Sequence, residues 1–556
     1  MRPARGIRST LGTALLILAA LAGTPARAQV TCVPDAKPGG EWPMFGGNLS
    51  GSHSQPLEST LTPANVPLLA PAWTFSANDA VQAINPNFIG RNEITGYPIE
   101  IDGCVFVATS TGFQEPGWVF ALNAYGGDVV WSHFLPFGVY SSLAVANGLV
   151  YAYVSQVGSP YVVALSEADG HEVWTHTVDN QPGSDAVASP IVFDSDGPGP
   201  LAPMVWAGVS GTLAEGDAYD RLQFRGASVL LDASTGALVK HQWSIPDDQF
   251  ATGDAGAAVW STISIDGPNK VGYVGTGNPF NYQHKSDRTN AVLKIDLDRS
   301  HAAVGRVLAY YRGDTEQYLD AASDFNGTCD ATSGSPLIFS FGFDCEHLDL
   351  DFGSQPNIFT DRGGRRLIGA GQKSGVYHVF DPDPAHYIGP ADSEGAREMP
   401  NVWSTVMGVP SPVGGIVGSA AYDGTALYVP HSLVGYMTAL DRDAGAIKWA
   451  TPIGDGVHWG PPATVANGIV YTPDLKGFLD AYDAGTGAPL LHRPMELGAN
   501  SGADPTFTWG GVTVARNTVY ATVGVGLTSI GSGDGQPYPS MPNGFVIAFR
   551  PMKVGL

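Results

Sequence analysis

Short apolar segments separated by glycine-bearing turns follow one another along the chain from Trp73 to the C-terminus. Many of them end in one frame, in which Asp, Asn or Ser is followed four residues later by Gly and eight residues later by Trp. The frame is clear at 123–131, 166–174 and 441–449, and weaker at 232–240 and 483–491, where Lys240 and Leu491 replace the Trp. Strands this short cannot bury their faces alone, so the copies must stack on one another. The pattern predicts a β-propeller whose Trp side chains pack between blades.

We predict an all-β fold, an eight-bladed β-propeller of four-stranded antiparallel blades, formed as a single domain by residues 29–556. The predicted blades cover 96–136, 141–180, 188–246, 258–312, 352–403, 415–453, 460–495 and 509–551. N-terminal residues near 42–75 complete the last blade, so strands from both ends of the chain close the ring and hide its edges. The composition agrees, because 14% charged and 44% hydrophobic residues exclude a disordered chain.

The first 28 residues have the pattern of a signal peptide. Arg2, Arg5 and Arg8 precede an apolar run at 11–21, and 26–28 reads Ala-Arg-Ala, a small-residue cleavage site. No later apolar run is long enough to span a membrane. We therefore expect export to the periplasm.

Charge and cysteine content narrow the partners. Without residues 1–28 the chain has 24 basic and 52 acidic side chains, a formal net charge of −28. This charge repels nucleic acid and anionic lipid and would attract cations or a basic protein, although solubility alone also accounts for it. Four Cys in an oxidising compartment predict two disulfides, for which we expect Cys32 with Cys104 and Cys329 with Cys345. The sequence has no Cys-x-x-Cys-His, so this chain attaches no c-type haem.

Three segments interrupt the repeat and are candidates for chemistry. The turn at 275–279 presents the carboxamide of Asn278, an oxygen ligand suited to Ca²⁺, although such a string is also an ordinary turn. The segment 346–353 places acids in an apolar setting that would raise a carboxyl pKa, unless it is a solvated loop. In 371–375, Lys373 lies between two strands and could point into the ring centre.

Together and in this order, these segments resemble the quinoprotein alcohol dehydrogenases, most of all their polyvinyl alcohol dehydrogenase branch. The similar stretches are 42–46, 224–226, 276–278, 349–353 and 369–377. The resemblance implies an eight-bladed propeller that holds pyrroloquinoline quinone (PQQ) and Ca²⁺ on its axis. It also implies an alcohol substrate, secondary or polymeric.

The resemblance implies a site residue by residue. Asp351 matches the catalytic base and a Ca²⁺ ligand, and Glu215 and Asn278 match the other metal ligands. Lys373 matches the group that reaches the quinone oxygens. The flat floor under the cofactor would be Trp260, for which packing between blades is the alternative. The remaining cofactor-binding positions implied by the resemblance are Ser210, Gly211 and Arg225.

The chemistry explains this set. Oxidising an alcohol needs a base for the hydroxyl proton while hydride leaves the carbon, and a carboxylate in a dry axial pocket can be that base. Ca²⁺ and a Lys stabilise charge on the quinone oxygens. Relatives that use a lanthanide carry an extra acid two residues after the base, where this chain has Gly353, so calcium is expected.

Two departures from the family pattern affect the expected site. The adjacent Cys pair that covers the cofactor in many relatives is replaced by Arg221-Leu222-Gln223. These 556 residues contain no haem-attachment motif of the kind found in the haem domain of many relatives, so we expect the electron acceptor to be a separate cytochrome c, for which an acidic surface is suitable.

Two other classes of function compete with this interpretation. The first is a non-catalytic periplasmic scaffold, which has no use for the Asn278, Asp351, Lys373 and Trp260 combination. The second is a propeller that binds a polysaccharide or peptide, which predicts aromatic clusters on one face, and none is evident in a regular register. The chain has no dinucleotide motif and no Gly-x-Ser-x-Gly elbow, which disfavours nicotinamide and serine-hydrolase chemistry.

Overall fold

The strands of the protein form eight separate sheets arranged as the blades of a ring. The computed structural model describes residues 30–552 apart from 34–37, 89–91, 113, 195–202, 212–222, 282–283, 314–348, 409–413, 433–434, 455–459, 496–509 and 525–543. Each blade is a meander of four antiparallel strands in which consecutive strands pair. The predicted all-β, eight-bladed fold is confirmed.

The strands of the first four blades alternate with short turns in chain order. Blade 1 contains Ile99–Ile101, Cys104–Ala108, Gly117–Asn123 and Val129–Leu135, and blade 2 contains Ala144–Ala146, Leu149–Val154, Tyr161–Ser166 and Glu172–Thr177. Blade 3 contains Ile191–Phe193, Met204–Val209, Ala227–Asp232 and Leu238–Trp243, and blade 4 contains Ser264–Asp266, Val271–Gly275, Ala291–Asp296 and Val307–Arg312.

The last four blades repeat this order, with one strand borrowed from the N-terminal region. Blade 5 contains Asn357–Thr360, Arg366–Gly371, Val376–Phe380 and Asn401–Val406, and blade 6 contains Ala421–Tyr422, Ala426–Pro430, Tyr436–Asp441 and Ile447–Pro452. Blade 7 contains Thr464–Ala466, Ile469–Pro473, Phe478–Asp483 and Pro489–Pro494, and blade 8 contains Thr513–Ala515, Thr518–Val523, Phe545–Pro551 and Leu69–Ser76.

A few short elements lie outside this plan. Ser54–Gln55 pairs in parallel with the first strand of blade 7, and Arg397–Glu398 pairs in parallel with the fourth strand of blade 4. The α-helices are Ala77–Ile84 and Asp247–Ala251, and the 3₁₀ helices are Val66–Leu68 and Pro384–His386. Among the described residues, no helix is both long and apolar enough to cross a membrane.

The topology gives the ring two distinct ends. We call the end at which second strands finish and third strands begin the upper end; first strands also begin there and fourth strands finish there. The first strands of neighbouring blades contact one another around the centre, and the fourth strands form the partly exposed circumference. Polar residues in the turns before the first strands therefore face the axis.

Tryptophans pack between blades, as the repeat predicts. The indole Nε1 of Trp131 in blade 1 donates to the carbonyl of Glu167 in blade 2, at 2.8 Å. A Cβ on Gly170 would lie 2.5 Å from the Trp131 ring, so only glycine fits there, with its φ of +73°. The same contact joins Trp73 with Gly127, Trp174 with Gly236, Trp403 with Gly445 and Trp449 with Gly487. At the weaker copy in blade 3, residues 232–240, the aliphatic stem of Lys240 takes the place of the indole against Gly305.

An N-terminal segment, residues 42–55, follows the inner edge of the ring; we call it the axial belt. Its backbone bonds successively to the first strands of blades 1, 2, 4, 5, 6 and 7. The bonds join Trp42 to Glu100, Pro43 to Val145, Leu49 to Ile265, Ser50 to Ile358, Ser52 to Tyr422 and His53 to Val465. The belt thus satisfies backbone groups on the inner strand edges that would otherwise lack partners.

The sequence predicts that residues near 42–75 complete the last blade, but only the end of this range does so. Leu69–Ser76 pairs with Phe545–Pro551 and completes blade 8, whereas Trp42 pairs with Glu100 of blade 1. The expected disulfide between Cys32 and Cys104 is present and ties the N-terminal region to blade 1. The expected Cys329–Cys345 pair and the predicted signal peptide, 1–28, lie outside the described residues.

Candidate functional site

Four of the predicted site residues come from two adjacent blades at the upper end. Trp260 precedes the first strand of blade 4, and Asn278 follows the second strand of that blade. Asp351 and Lys373 occupy the corresponding places in blade 5. Because both of these connections open at the upper end near the axis, the fold brings together residues far apart in sequence.

Backbone hydrogen bonds cross-link the four segments. Lys373 N–H donates to the Asp351 carbonyl at 2.9 Å, Phe352 N–H to the Thr276 carbonyl at 3.2 Å, and Gly277 N–H to the Ala258 carbonyl at 2.8 Å. A Cβ at position 275 would overlap the Phe352 carbonyl, which explains the glycine there. The side chains of the site therefore project from a fixed backbone frame.

The side chains form a compact charged group that we call the Asp–Lys cluster: Asp349, Asp351, Lys373 and Trp260. Lys373 Nζ donates to Asp349 Oδ2 at 2.8 Å and to Asp351 Oδ2 at 3.2 Å. The indole Nε1 of Trp260 donates to the same Asp351 Oδ2 at 2.8 Å, and the ammonium lies 5.2 Å from the Trp260 ring centroid. Both Asp side chains and the Lys are buried.

Burial controls the protonation of this cluster. Desolvation, and after it the neighbouring charge of Asp349, raises the pKa of Asp351 to about 8, although Lys373 opposes both effects. A carboxyl with a pKa near neutrality is suited to accept and return a proton at physiological pH.

The benzo end of the Trp260 indole packs against the backbone just before the first strand of blade 5. A Cβ on Gly353 would overlap Cη2 and Cζ2 of the indole, so the ring can lie there only because residue 353 is glycine. This contact and the bond to Asp351 fix the ring from two sides. An acidic side chain at position 353 would not fit while Trp260 holds this place.

A cavity of about 80 Å³ lies on the axis beside Trp260 and Gly353. It is lined by the residues just before the first strand of each of the eight blades, many of them hydroxyl-bearing. At its margin, Gln355 and Tyr97 bond the buried imidazole of His53 from the axial belt, at 3.0 and 2.9 Å. Asp351 and Lys373 are not among its described lining residues, so the cavity adjoins the cluster without containing it.

The donor set fits a hard cation. Asp349 Oδ1 and Asp351 Oδ1 are buried, and neither accepts a hydrogen bond from any N–H or hydroxyl of the described residues. Asp351 Oδ1 lies close to the Asn278 segment, 3.4 Å from the place a Cβ on Gly277 would occupy. Buried carboxylate oxygens are ligands typical of Ca²⁺, and a carboxamide oxygen of the neighbouring Asn278 segment would be of the same ligand type.

Of the other predicted site residues, two lie near the cluster, one lies outside the described residues, and one, Arg225, points elsewhere. Ser210 and Gly211 follow the second strand of blade 3 at the upper end, next to Val209, whose carbonyl accepts from Val259 N–H at 2.9 Å. This places them beside the Trp260 segment. Glu215 lies outside the described residues.

The structure does not bring the guanidinium of Arg225 to the cluster. The guanidinium bonds the Ile245 carbonyl at 2.9 Å and Asp247 at 2.6 Å, and it stacks between the rings of Trp243 and Phe250. These partners follow or belong to the fourth strand of blade 3, away from the inner strands. Conversely, sequence reasoning gave Asp349 no role of its own. Its spacing of two from Asp351, which puts both on one side of an extended segment, was the available signal.

Comparisons with known proteins agree with the resemblance inferred from the motifs. Residues 42–138 match the family model described as "PQQ: Glucose/ethanol/alcohol dehydrogenase, beta-propeller domain". A polyvinylalcohol dehydrogenase of Pseudomonas sp. is 25% identical over 536 residues, covering 89% of this chain and 75% of that protein. A polyvinylalcohol dehydrogenase of Sphingopyxis sp. strain 113P3 is 25% identical over 466 residues, covering 75% of this chain and 65% of that protein.

Among solved structures, the quinohemoprotein alcohol dehydrogenase from Comamonas testosteroni is similar in fold. Its TM-score is 0.62 at 16% identity, with 92% of this chain and 80% of that chain covered. At this level of identity the likeness concerns the fold.

Proposed function

The chain carries the β-propeller of the PQQ-dependent alcohol dehydrogenases and has polyvinyl alcohol dehydrogenases as homologues, and on this basis we propose which alcohols it oxidises and with which cofactors. The protein is an exported quinoprotein dehydrogenase that oxidises secondary or polymeric alcohols, using PQQ with Ca²⁺. The observation that carries the proposal is the Asp–Lys cluster, in which a buried carboxyl is held against an indole and an ammonium at the upper end of the axis.

The residues present fit the cofactor and the cation. Trp260, Lys373 and the Ser210 segment would hold PQQ, while Asp351 and Asn278 would hold Ca²⁺, with Glu215 as a further ligand. When bound, this pair supplies the hydride acceptor and the Lewis acid of the reaction.

Asp351 supplies the base. Trp260 and Lys373 donate to its Oδ2, so Oδ1 is the oxygen that would face the cation with one lone pair and take the hydroxyl proton of an alcohol with the other. Burial and Asp349 raise its pKa to about 8, which strengthens the base once the carboxyl is ionised. Asp349 also anchors Lys373 at 2.8 Å, so the ammonium keeps its place when Asp351 is protonated.

The proposed electron acceptor is a separate cytochrome c. The formal net charge of −28 that remains without residues 1–28 would attract a basic partner and accelerate its encounter at low ionic strength. We place the reaction in the periplasm, where the disulfide between Cys32 and Cys104 can form.

Reconstitution tests the proposal. Apo protein is given PQQ and Ca²⁺, cofactor binding is followed by quenching of Trp fluorescence, and dye reduction is measured with a panel of alcohols. We expect micromolar or tighter binding of PQQ and turnover of secondary alcohols. Absence of binding at micromolar PQQ would contradict the proposal.

Asp351→Asn tests the base. We expect this variant to bind PQQ yet to lose turnover by about 10²- to 10⁴-fold, the usual contribution of a general base. Asp128→Asn, an exposed change on the turn between the third and fourth strands of blade 1, is the matched control. Full turnover by Asp351→Asn would overturn the assignment of the base.

A further inference from the structure

The residue that opens the third strand is aromatic in five consecutive blades. These residues are Tyr436, Phe478, Phe545, Trp118 and Tyr161, in blades 6, 7, 8, 1 and 2. In blade 1 the third strand begins one residue before Trp118, but the pairing shows that Trp118 is the equivalent residue. Trp118 pairs with Phe134, which lies three residues after the plug Trp131. In the same way, Tyr161 of blade 2 pairs with Thr177, three residues after the plug Trp174. We call this set the rim arc. The expectation that aromatic residues have no regular register is therefore wrong.

The rim arc does not extend to blades 4 and 5, which carry the Asp–Lys cluster, or to the adjacent blade 3. In blades 3, 4 and 5 the equivalent residues are Ala227, Ala291 and Val376, all of them buried. Three blades thus pack into the ring without an aromatic residue at this position. Closing the ring does not itself require one, so packing between blades is an incomplete explanation of the other five.

The arc lies at the same end of the ring as the Asp–Lys cluster, because third strands begin at the upper end. The third strand is two inter-strand spacings outside the first, which is about 10 Å. All five rings are partly exposed, and Tyr436 is 37% exposed. Phe478 is stacked on His492 with ring centroids 4.2 Å apart, and Trp118 contacts the exposed Phe134 at 5.2 Å.

We propose that the rim arc is a binding surface for an uncharged, hydroxyl-bearing carbon chain, and so selects polymeric over small alcohols. Aromatic faces bind C–H groups through apolar contact, while Tyr hydroxyls and imidazoles at their edges bond to alcohols. The five residues of the arc carry no charge that would hold a cationic chain, and the strongly acidic protein repels polyanions, so a neutral polymer is the occupant that the surface fits. A chain running from the arc to the axis would present one hydroxyl to Asp351 while several repeat units lie on the rings.

This inference rests on the proposed dehydrogenase activity for its kinetic test but not for its binding test. The variants are Tyr436→Ala with Phe478→Ala, and Phe478→Leu, which keeps an apolar side chain but removes the flat ring. Tyr125→Ala is the matched control, because Tyr125 is 71% exposed on a turn between third and fourth strands, at the opposite end of its blade. Thermal melting confirms that each variant is folded.

The kinetic measurement compares polyvinyl alcohol with 2-pentanol on protein loaded with PQQ and Ca²⁺. We expect the double variant to raise KM for the polymer about tenfold, equivalent to about 1.4 kcal/mol of binding. Its kinetic constants for 2-pentanol should stay unchanged, and Tyr125→Ala should change neither substrate. Parallel changes for both alcohols, or an unchanged KM for the polymer, would overturn the inference.

The binding measurement titrates apo protein with polyvinyl alcohol in a calorimeter. We expect wild-type binding that the double variant weakens and Tyr125→Ala preserves. If no alcohol is oxidised by the loaded protein, the proposed function fails, and this titration alone decides the rim arc. Wild-type and double-variant proteins that bind the polymer equally, or not at all, would refute it.

Discussion

The indole N–H of Trp260 bonds the carboxylate of Asp351, with 2.8 Å between Nε1 and Oδ2. The indoles that plug the blades use their N–H differently: Trp131, Trp174 and Trp449 each donate to a backbone carbonyl of the next blade. The plug Trp403 makes no such bond among the described residues, so no plug of the described part of the chain bonds a carboxylate. The direction of this one hydrogen bond favours a functional role for Trp260 and fixes one oxygen of the proposed base.

We expect Ca²⁺ binding to the apo protein to strengthen as the pH rises toward 8. Below a pKa of about 8, Asp351 holds a proton that the cation must displace. For one displaced proton, affinity increases about tenfold per pH unit below the pKa and levels off above it. Calorimetry at pH 6, 7 and 8 in buffers of different ionisation enthalpy measures both the affinity and the released proton. Affinity that does not vary with pH would contradict this assignment.

Asp351→Asn should flatten the dependence of stability on pH in the apo protein. The folded pKa of Asp351, about 8, lies above its value in an unfolded chain, so the folded state holds the extra proton between the two. The stability contributed by this group is complete at low pH and is lost as the pH rises through 8. We expect the variant to gain melting temperature relative to wild type at pH 9, and much less at pH 5. A constant difference across this range would argue against a raised pKa.

Gly353→Asp should damage the site rather than convert it to a lanthanide site. Any side chain at position 353 overlaps the Trp260 indole, so the ring must leave its place. We expect a loss of about 1–3 kcal/mol of stability, as for overpacked cores, together with loss of PQQ binding. Gly267→Asp is the control, since nothing lies within 4 Å of a Cβ there and its φ is ordinary. Equal effects of the two substitutions in thermal melts and fluorescence titrations would show that the overlap is unimportant.

Substituting two glycines distinguishes the stability lost by overlap with a Trp ring from the stability lost by backbone strain. Gly170 and Gly148 have nearly the same φ, +73° and +75°, but only Gly170 faces an indole, that of Trp131. Gly148→Ala should therefore report strain alone, about 1 kcal/mol, while Gly170→Ala should lose a further 1–3 kcal/mol by overlap with the ring. Melting temperatures of the two variants measure the difference. Equal losses would mean that the indole yields without penalty.

The sequence predicts the ring well because its information is periodic. The frame of Asp, Gly and Trp recurs, and each Gly and Trp contacts a counterpart one blade away. Trp73 and Trp403 play the same part, but no frame in the sequence marks them, because Trp73 lies far from its blade in sequence and Trp403 follows an insertion in blade 5. Periodicity therefore finds an element only where the chain repeats without interruption.

The site was predictable to the extent that side chains follow strand ends. Trp260, Asp351 and Lys373 meet because their connections open at the same end of adjacent blades. Arg225 shows the limit of this reasoning, since its backbone lies in the motif while its guanidinium is held by Trp243, Phe250 and Asp247. The course of a long side chain depends on partners that no local pattern reveals.

The axial belt makes completion of the ring depend on residues at both ends of the sequence. Gln55 bonds to Val514, 459 residues later, and the belt visits six blades on the way. Contacts of such sequence separation form slowly, because the chain must lose its freedom before they are made. The belt can make all of its contacts only after the later blades have formed. A truncated or misfolded ring would therefore lack the stabilisation that the belt provides.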